Sequence, residues 1–98
     1  MTLPVVFTDA AVDDIDAADV WWRLNRPRAP DAIAEAIERA IELLSEQPGV
    51  GQRVAGPRVE TRKLVLRSIG YHLFYRVGPA RVEVLRFWHG RRSTPPRL

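Results

Sequence analysis

The stretch Thr61 to Arg92, TRKLVLRSIGYHLFYRVGPARVEVLRFWHGRR, decides how the rest of the chain is read. With the two residues before it, it breaks into three runs of strand character, rich in β-branched and aromatic residues and separated by turn chemistry. They span Val59 to Leu66, then Tyr71 to Val77 after Ser68-Ile69-Gly70, then Val82 to Trp88 after Gly78-Pro79-Ala80. Links this short join antiparallel neighbours, so the runs predict a meander. Arginine or lysine sits in and around each run, and the stretch ends in His89-Gly90-Arg91-Arg92. Hydrophobic strands rarely carry so many cations. A surface of this kind meets phosphates or an acidic partner.

Upstream, the period changes from two to 3.6 residues. Leu3 to Phe7 is a short apolar run that reads as a first strand, with Pro4 suited to an edge. Thr8 offers a hydroxyl to cap a helix, and Asp9 suits that helix's positive end. From Asp9 to about Leu24, Ala11, Ile15, Ala18 and Trp22 share one face, with Asp9, Asp13 and Asp16 largely elsewhere. Asn25-Arg26-Pro27 ends this helix, because proline disfavours helix at the residue before it. A second helix is predicted from Pro30 to Gln47, with Ile33, Ile37, Ala40, Ile41 and Leu44 as its apolar face, stopped by Gln47-Pro48-Gly49. Val50 to Arg58 reads as loop. The order β-α-α-β-β-β predicts an α+β domain, a helical hairpin packed on one face of a four-stranded, mainly antiparallel sheet. The other face is expected to be open, with the cations on it or around its rim.

Charge is distributed unevenly along the chain. Residues 1–49 hold ten acids against four arginines, a net of −6, while residues 50–98 hold eleven cations and only Glu60 and Glu83, a net of +9. A GC-rich genome accounts for arginine outnumbering lysine 14 to 1, but not for the missing acids. Such asymmetry points to one basic functional face on an otherwise ordinary domain. Residues 1–98 are expected to form one domain with one core. The absence of cysteine excludes disulfides and a thiolate zinc site, and no metal or cofactor is expected. No segment approaches the ~20 apolar residues of a membrane span. With no signal-like N-terminus, a cytoplasmic protein is expected.

Taken in order, these pieces resemble the RelE/ParE superfamily of type II toxin–antitoxin toxins over nearly the whole chain. Phe7-Thr8, Ala11, Asp14-Ile15 and Trp21 resemble its opening strand and first helix. Leu44 to Gly51 resembles the L-x-x-x-P-x-x-G that closes the second helix. Arg62-Lys63-Leu64, Tyr71 to Val77, and Val84 to Arg92 with its H-x-R-R ending resemble the later strands. The resemblance implies growth arrest, a role in plasmid stabilisation, and neutralisation by a cognate antitoxin that docks beside the helical hairpin or along the sheet. ParE-like members resemble inhibitors of DNA gyrase, and RelE-like members are ribosome-dependent mRNA endonucleases. The H-x-R-R ending and the Pro-x-x-Gly loop look more like the ParE side, so a binding inhibitor is expected rather than an enzyme.

The candidate residues differ between these alternatives. For a ribonuclease, His89 is the acid or base, since an unperturbed histidine titrates near neutrality, and Arg62 is the second catalytic candidate. Lys63, Arg91 and Arg92 would join Arg62 in phosphate contacts. RelE-like nucleases resemble one another in a C-terminal tyrosine and several lysines. This chain has one lysine, and its tail, Ser93 to Leu98, has no tyrosine. For target or antitoxin binding the candidates are Arg62, Lys63, Arg76, Arg86, Trp88, His89, Arg91 and Arg92. The structural alternatives are an ion pair of Arg62 with Glu60 or Glu83, and a His89 that only caps a carbonyl. Trp22 is expected in the core and Trp88 at an interface.

Overall fold

A computed structural model describes residues 2–55 and 60–98. Strand β1 (Val5–Phe7) leads into helix α1 (Asp9–Asn25) and helix α2 (Ala32–Glu46). Strands β2 (Gln52–Val54), β3 (Thr61–Leu66), β4 (Tyr71–Val77) and β5 (Val82–His89) complete the order. The sheet order is β1-β5-β4-β3-β2. The α+β class holds, with two corrections. The sheet has five strands, not four, because Gln52–Val54, read from sequence as loop, pairs antiparallel with β3. It is also mixed, because β1 runs parallel to β5 with Val5 opposite Val82. The strand start expected at Val59, and the loop residues Gly56 to Arg58, lie outside the described residues. No helix among the described residues is long and apolar enough to cross a membrane.

Both helices begin and pack as their sequences dictate. The Thr8 hydroxyl accepts the Ala11 amide at 3.1 Å and donates to the Leu85 carbonyl at 2.9 Å, so one side chain starts α1 and ties it to β5. Ala11 and Ala18 of α1, and Ile33, Ala36, Ala40 and Leu44 of α2, are buried against the sheet, with Ile15, Trp22 and Ile37 packed around them. Trp22 therefore belongs to the core, as expected. From the sheet come Leu73, Tyr75, Val82, Val84 and Phe87. In β4 this is a strict alternation.

The β4–β5 register breaks once, between Phe74 and Tyr75: Phe74 faces Arg86, Tyr75 faces Val84, and Leu85 is the extra residue. A bulge bends its strand and re-aims the residues beside it. Here it turns the Leu85 carbonyl to Thr8. Gly70 closes the β3–β4 turn at φ 72°, a left-handed conformation that costs glycine nothing. Its amide bonds the Leu66 carbonyl at 2.9 Å.

On the outer face the register aligns Lys63 with Phe74, and His72 with Trp88. This face is not wholly open. Phe74 is buried without belonging to the helix-side cluster. The tail after β5 is irregular, with Pro96 buried and the Trp88 indole N–H donating to the Thr94 carbonyl at 2.8 Å.

Candidate functional site

The predicted cations separate into two groups. Arg62 lies on β3 opposite Tyr75, on the helix side of the sheet. Its guanidinium donates to the carbonyls of Gly49 and Gly51, at 3.0 and 2.7 Å, and pairs with Glu60. The neighbouring Tyr75 hydroxyl accepts the Gly51 amide and donates to the Pro48 carbonyl, both at 2.8 Å. A Cβ on Gly51 would lie 2.6 Å from that hydroxyl and 2.9 Å from the Lys63 carbonyl, so only glycine fits. The Pro-x-x-Gly segment, Tyr75 and Arg62 are therefore one clasp that seats the chain leaving α2 onto the sheet. Burial pushes the Tyr75 phenol above its ordinary range, which keeps it a neutral donor.

Arg86 is committed as well. It holds Asp14 of α1 through two hydrogen bonds of 2.7 and 2.9 Å, and the same carboxylate accepts the Phe87 amide at 3.1 Å. The amide is free to do so because β1 ends opposite Val84, leaving the β5 edge unpaired from there on. Paired and charge-assisted, the Arg86 guanidinium is held further toward its protonated form. Arg76 pairs directly across the strands with Glu83. Three of the eight predicted binding residues are thus occupied by partners within the chain.

Trp88, His89, Arg91 and Arg92 gather at the far end, while Lys63 stays beside Arg62 on β3. His89 pairs in register with Tyr71 and meets its ring edge-on at 5.0 Å, while its Nδ1 accepts the Arg91 amide at 3.1 Å. That bond turns the chain after β5 and leaves Nε2 as the nitrogen available to a partner. Tyr71 also stacks on Phe87 at 4.6 Å, and burial raises its phenol while Arg92 opposes the shift. His89, Tyr71 and Arg92 line one side of a cleft of about 360 Å³, closed on the other by Ala17, Ala18 and Trp21 of α1. Trp88 faces outward, with the guanidinium of Arg86 at 4.9 Å and that of Arg92 at 3.9 Å from its ring centroid. Lys63 stands near His72, whose pKa is lowered first by burial, then by Lys63 and His89.

The two nuclease candidates do not meet. His89 is in register with Tyr71 and Arg62 with Tyr75, on opposite flanks of β4. Four residues of strand put them about 13 Å apart along the axis and two strand spacings about 10 Å apart across it. Sequence reasoning passed over Asp14, Tyr71 and Arg97 as site residues. The missing acids of the second half were the signal for Asp14, since cations in a strand must find carboxylates somewhere. Among the described residues no three His, Cys, Asp or Glu side chains cluster as metal ligands would.

Residues 5–94 match the model of a family described as ParE toxin of type II toxin–antitoxin system, parDE. Toxin RelE1 of Caulobacter vibrioides is 31% identical over 90 residues, covering 92% of this chain and 96% of its own. Among solved structures, the chromosomal ParDE system of P. aeruginosa superposes with a TM-score of 0.76 at 20% identity, covering 90% of this chain and 96% of the other. The RelBE2 toxin–antitoxin complex of Mycobacterium tuberculosis gives 0.62 at 24% identity, covering 91% and 92%. The archaeal RelE–RelB complex of Pyrococcus horikoshii gives 0.66 at 14% identity, covering 95% and 100%. At these identities the structures speak for the fold alone.

Proposed function

This chain belongs to the ParE toxin family of type II toxin–antitoxin systems, within the RelE/ParE superfamily, and on that footing we propose that it stalls replication by binding DNA gyrase. The observation that carries the reading is the separation of His89 from Arg62. General acid–base cleavage of RNA needs its proton-transfer group and its charge-stabilising cation at one phosphate, each within about 3 Å of the atom it serves. Here one candidate stands at the cleft by α1 and the other is fastened to Gly49, Gly51 and Glu60 at the opposite flank of the sheet. A binding inhibitor needs only a shaped, charged surface, and the cleft lined by Trp21, Tyr71, His89 and Arg92 supplies one.

A cognate antitoxin is the second partner proposed. Two of the superposed relatives are toxin–antitoxin complexes by their descriptions. The cleft between α1 and the ends of β4 and β5, with Trp21 half exposed at its lip, suits an amphipathic segment that carries acids toward Arg92.

A second reading, ribosome-dependent mRNA cleavage, is favoured by one feature: Tyr71, His89 and Arg92 share that same cleft. Two assays on antitoxin-free protein separate the readings. Under the first, gyrase supercoiling stops, cleavage complexes accumulate and translated mRNA stays intact. Cutting of mRNA only when ribosomes are present would replace it with the second and make His89 and Tyr71 the residues to substitute.

A further inference from the structure

Past His89 the chain builds a surface that the packing of the sheet does not use. An open groove of about 710 Å³ lies along the tail, lined by Trp88, Arg91, Arg92, Ser93, Thr94 and Arg97 among others, and no carboxylate side chain lines it. We propose that Arg91, Arg92 and Arg97 form a phosphodiester-binding site that grips the backbone of duplex DNA without reading its sequence.

The donors are held in place. The Arg92 guanidinium lies 3.9 Å from the Trp88 ring centroid, and stacking of that kind fixes its plane while leaving N–H edges to meet phosphate oxygens in pairs. Trp88 is fastened in turn to the Thr94 carbonyl, and Pro96 is buried, so the segment bearing Arg97 lies against the domain. Arg91 and Arg97 have no carboxylate partner among the described residues. Ser93 and Thr94 add hydroxyl donors.

The groove suits a polyanion better than an acidic protein. Its one aromatic ring already has Arg86 and Arg92 against it, so a protein partner would find no free aromatic anchor there, and protein interfaces draw much of their energy from such anchors. Binding along a phosphate backbone needs only the cations. Among the described residues the β3–β4 hairpin that turns at this end is tied into the sheet, its Gly70 carbonyl accepting the Gly90 amide at 2.9 Å, so it is not shaped to enter a major groove and base sequence goes unread. The inference rests on the gyrase reading in one respect: the physiological duplex is the segment gyrase holds during strand passage.

The test is fluorescence anisotropy of a short labelled duplex with the full-length, antitoxin-free protein. Three phosphate contacts predict a slope of log affinity against log salt near −2.7, or about 40-fold weaker binding at 200 than at 50 mM salt. R91Q/R97Q should lower the slope to about −0.9, with an unchanged circular dichroism melt and no preference between unrelated duplexes. An unaltered slope in R91Q/R97Q would overturn the site. So would displacement of the duplex by polyglutamate of equal charge at equal concentration, which would assign the groove to acidic peptide. Supercoiling measured alongside keeps the two ideas apart. Wild-type DNA binding with the predicted slope but unimpeded gyrase upholds the site and removes the gyrase reading. Loss of DNA binding with undiminished inhibition by R91Q/R97Q removes the site's role and leaves gyrase as the target.

Discussion

Arg62 and Arg92 are the same residue type at two ends of one sheet, and they have opposite employment. Arg62 spends its donors on Gly49, Gly51 and Glu60, inside the clasp with Tyr75. Arg92 meets an aromatic face and keeps its polar edges outward. Between them Arg76 and Arg86 are each matched to an acid. A basic stretch in sequence is therefore not a basic surface in space. Arginines within the strands are consumed by the fold, while Arg91, Arg92 and Arg97 after β5 have no carboxylate partner among the described residues.

The largest effect should come from breaking the clasp. Gly51→Ala drives a Cβ into a tyrosine hydroxyl and a backbone carbonyl and separates both hydrogen bonds of Tyr75, and should cost about 3 kcal/mol in urea unfolding. Asp14→Ala comes next, at about 2 kcal/mol, because it strands a half-buried guanidinium and the Phe87 amide. In a double-mutant cycle Asp14→Ala and Arg86→Met should be far less than additive, and additivity would show the pair to be decorative. Tyr75→Phe keeps the ring and loses two hydrogen bonds, for about 1.5 kcal/mol. At the other end, Arg91→Gln should change stability by less than about 0.5 kcal/mol while weakening duplex binding in the anisotropy assay, the mirror image of the clasp variants.

The smallest effect is in pH. Burial, Lys63 and His89 hold the His72 pKa below its ordinary value of 6.5. The unfolded chain therefore binds more protons than the folded one as pH falls below about 6.5, so stability should decline there and be level above it. His72→Gln should flatten the urea midpoint between pH 7.5 and 5.5, and a midpoint that rises on acidification would contradict the assignment.

Much of this was legible in the residues. Strand β4 matches its sequence reading from Tyr71 to Val77, and the 3.6 period of α1 found Ala11, Ile15, Ala18 and Trp22. What was not legible depends on distant pairing. Gln52–Val54 has no apolar alternation and sits among glycines and prolines, so only hydrogen bonding to β3 makes it a strand. The parallel partner of β1 lies 77 residues away, beyond any local signal. At the end of β5, Trp88 and the H-x-R-R ending lie together in space because they are neighbours in sequence. The employment of Arg62 was not resolved, because two of its partners are backbone carbonyls, which side-chain patterns do not display.

The parallel pairing of β1 with β5 also governs when the protein can exist. Val5 finds its neighbour only at Val82, and Thr8 and Asp14 find theirs only at Leu85 to Phe87. Contacts so far apart form late, after the loop between them has closed. During synthesis the first strand and first helix must wait, without their main support, until the last strand has been made. A ribosome interrupted anywhere before residue 80 releases a chain that lacks β5, the strand that joins β1 to the rest of the sheet. The fold is thus completed only at the end of its own translation, and incomplete copies hold Thr8 and Asp14 without their partners.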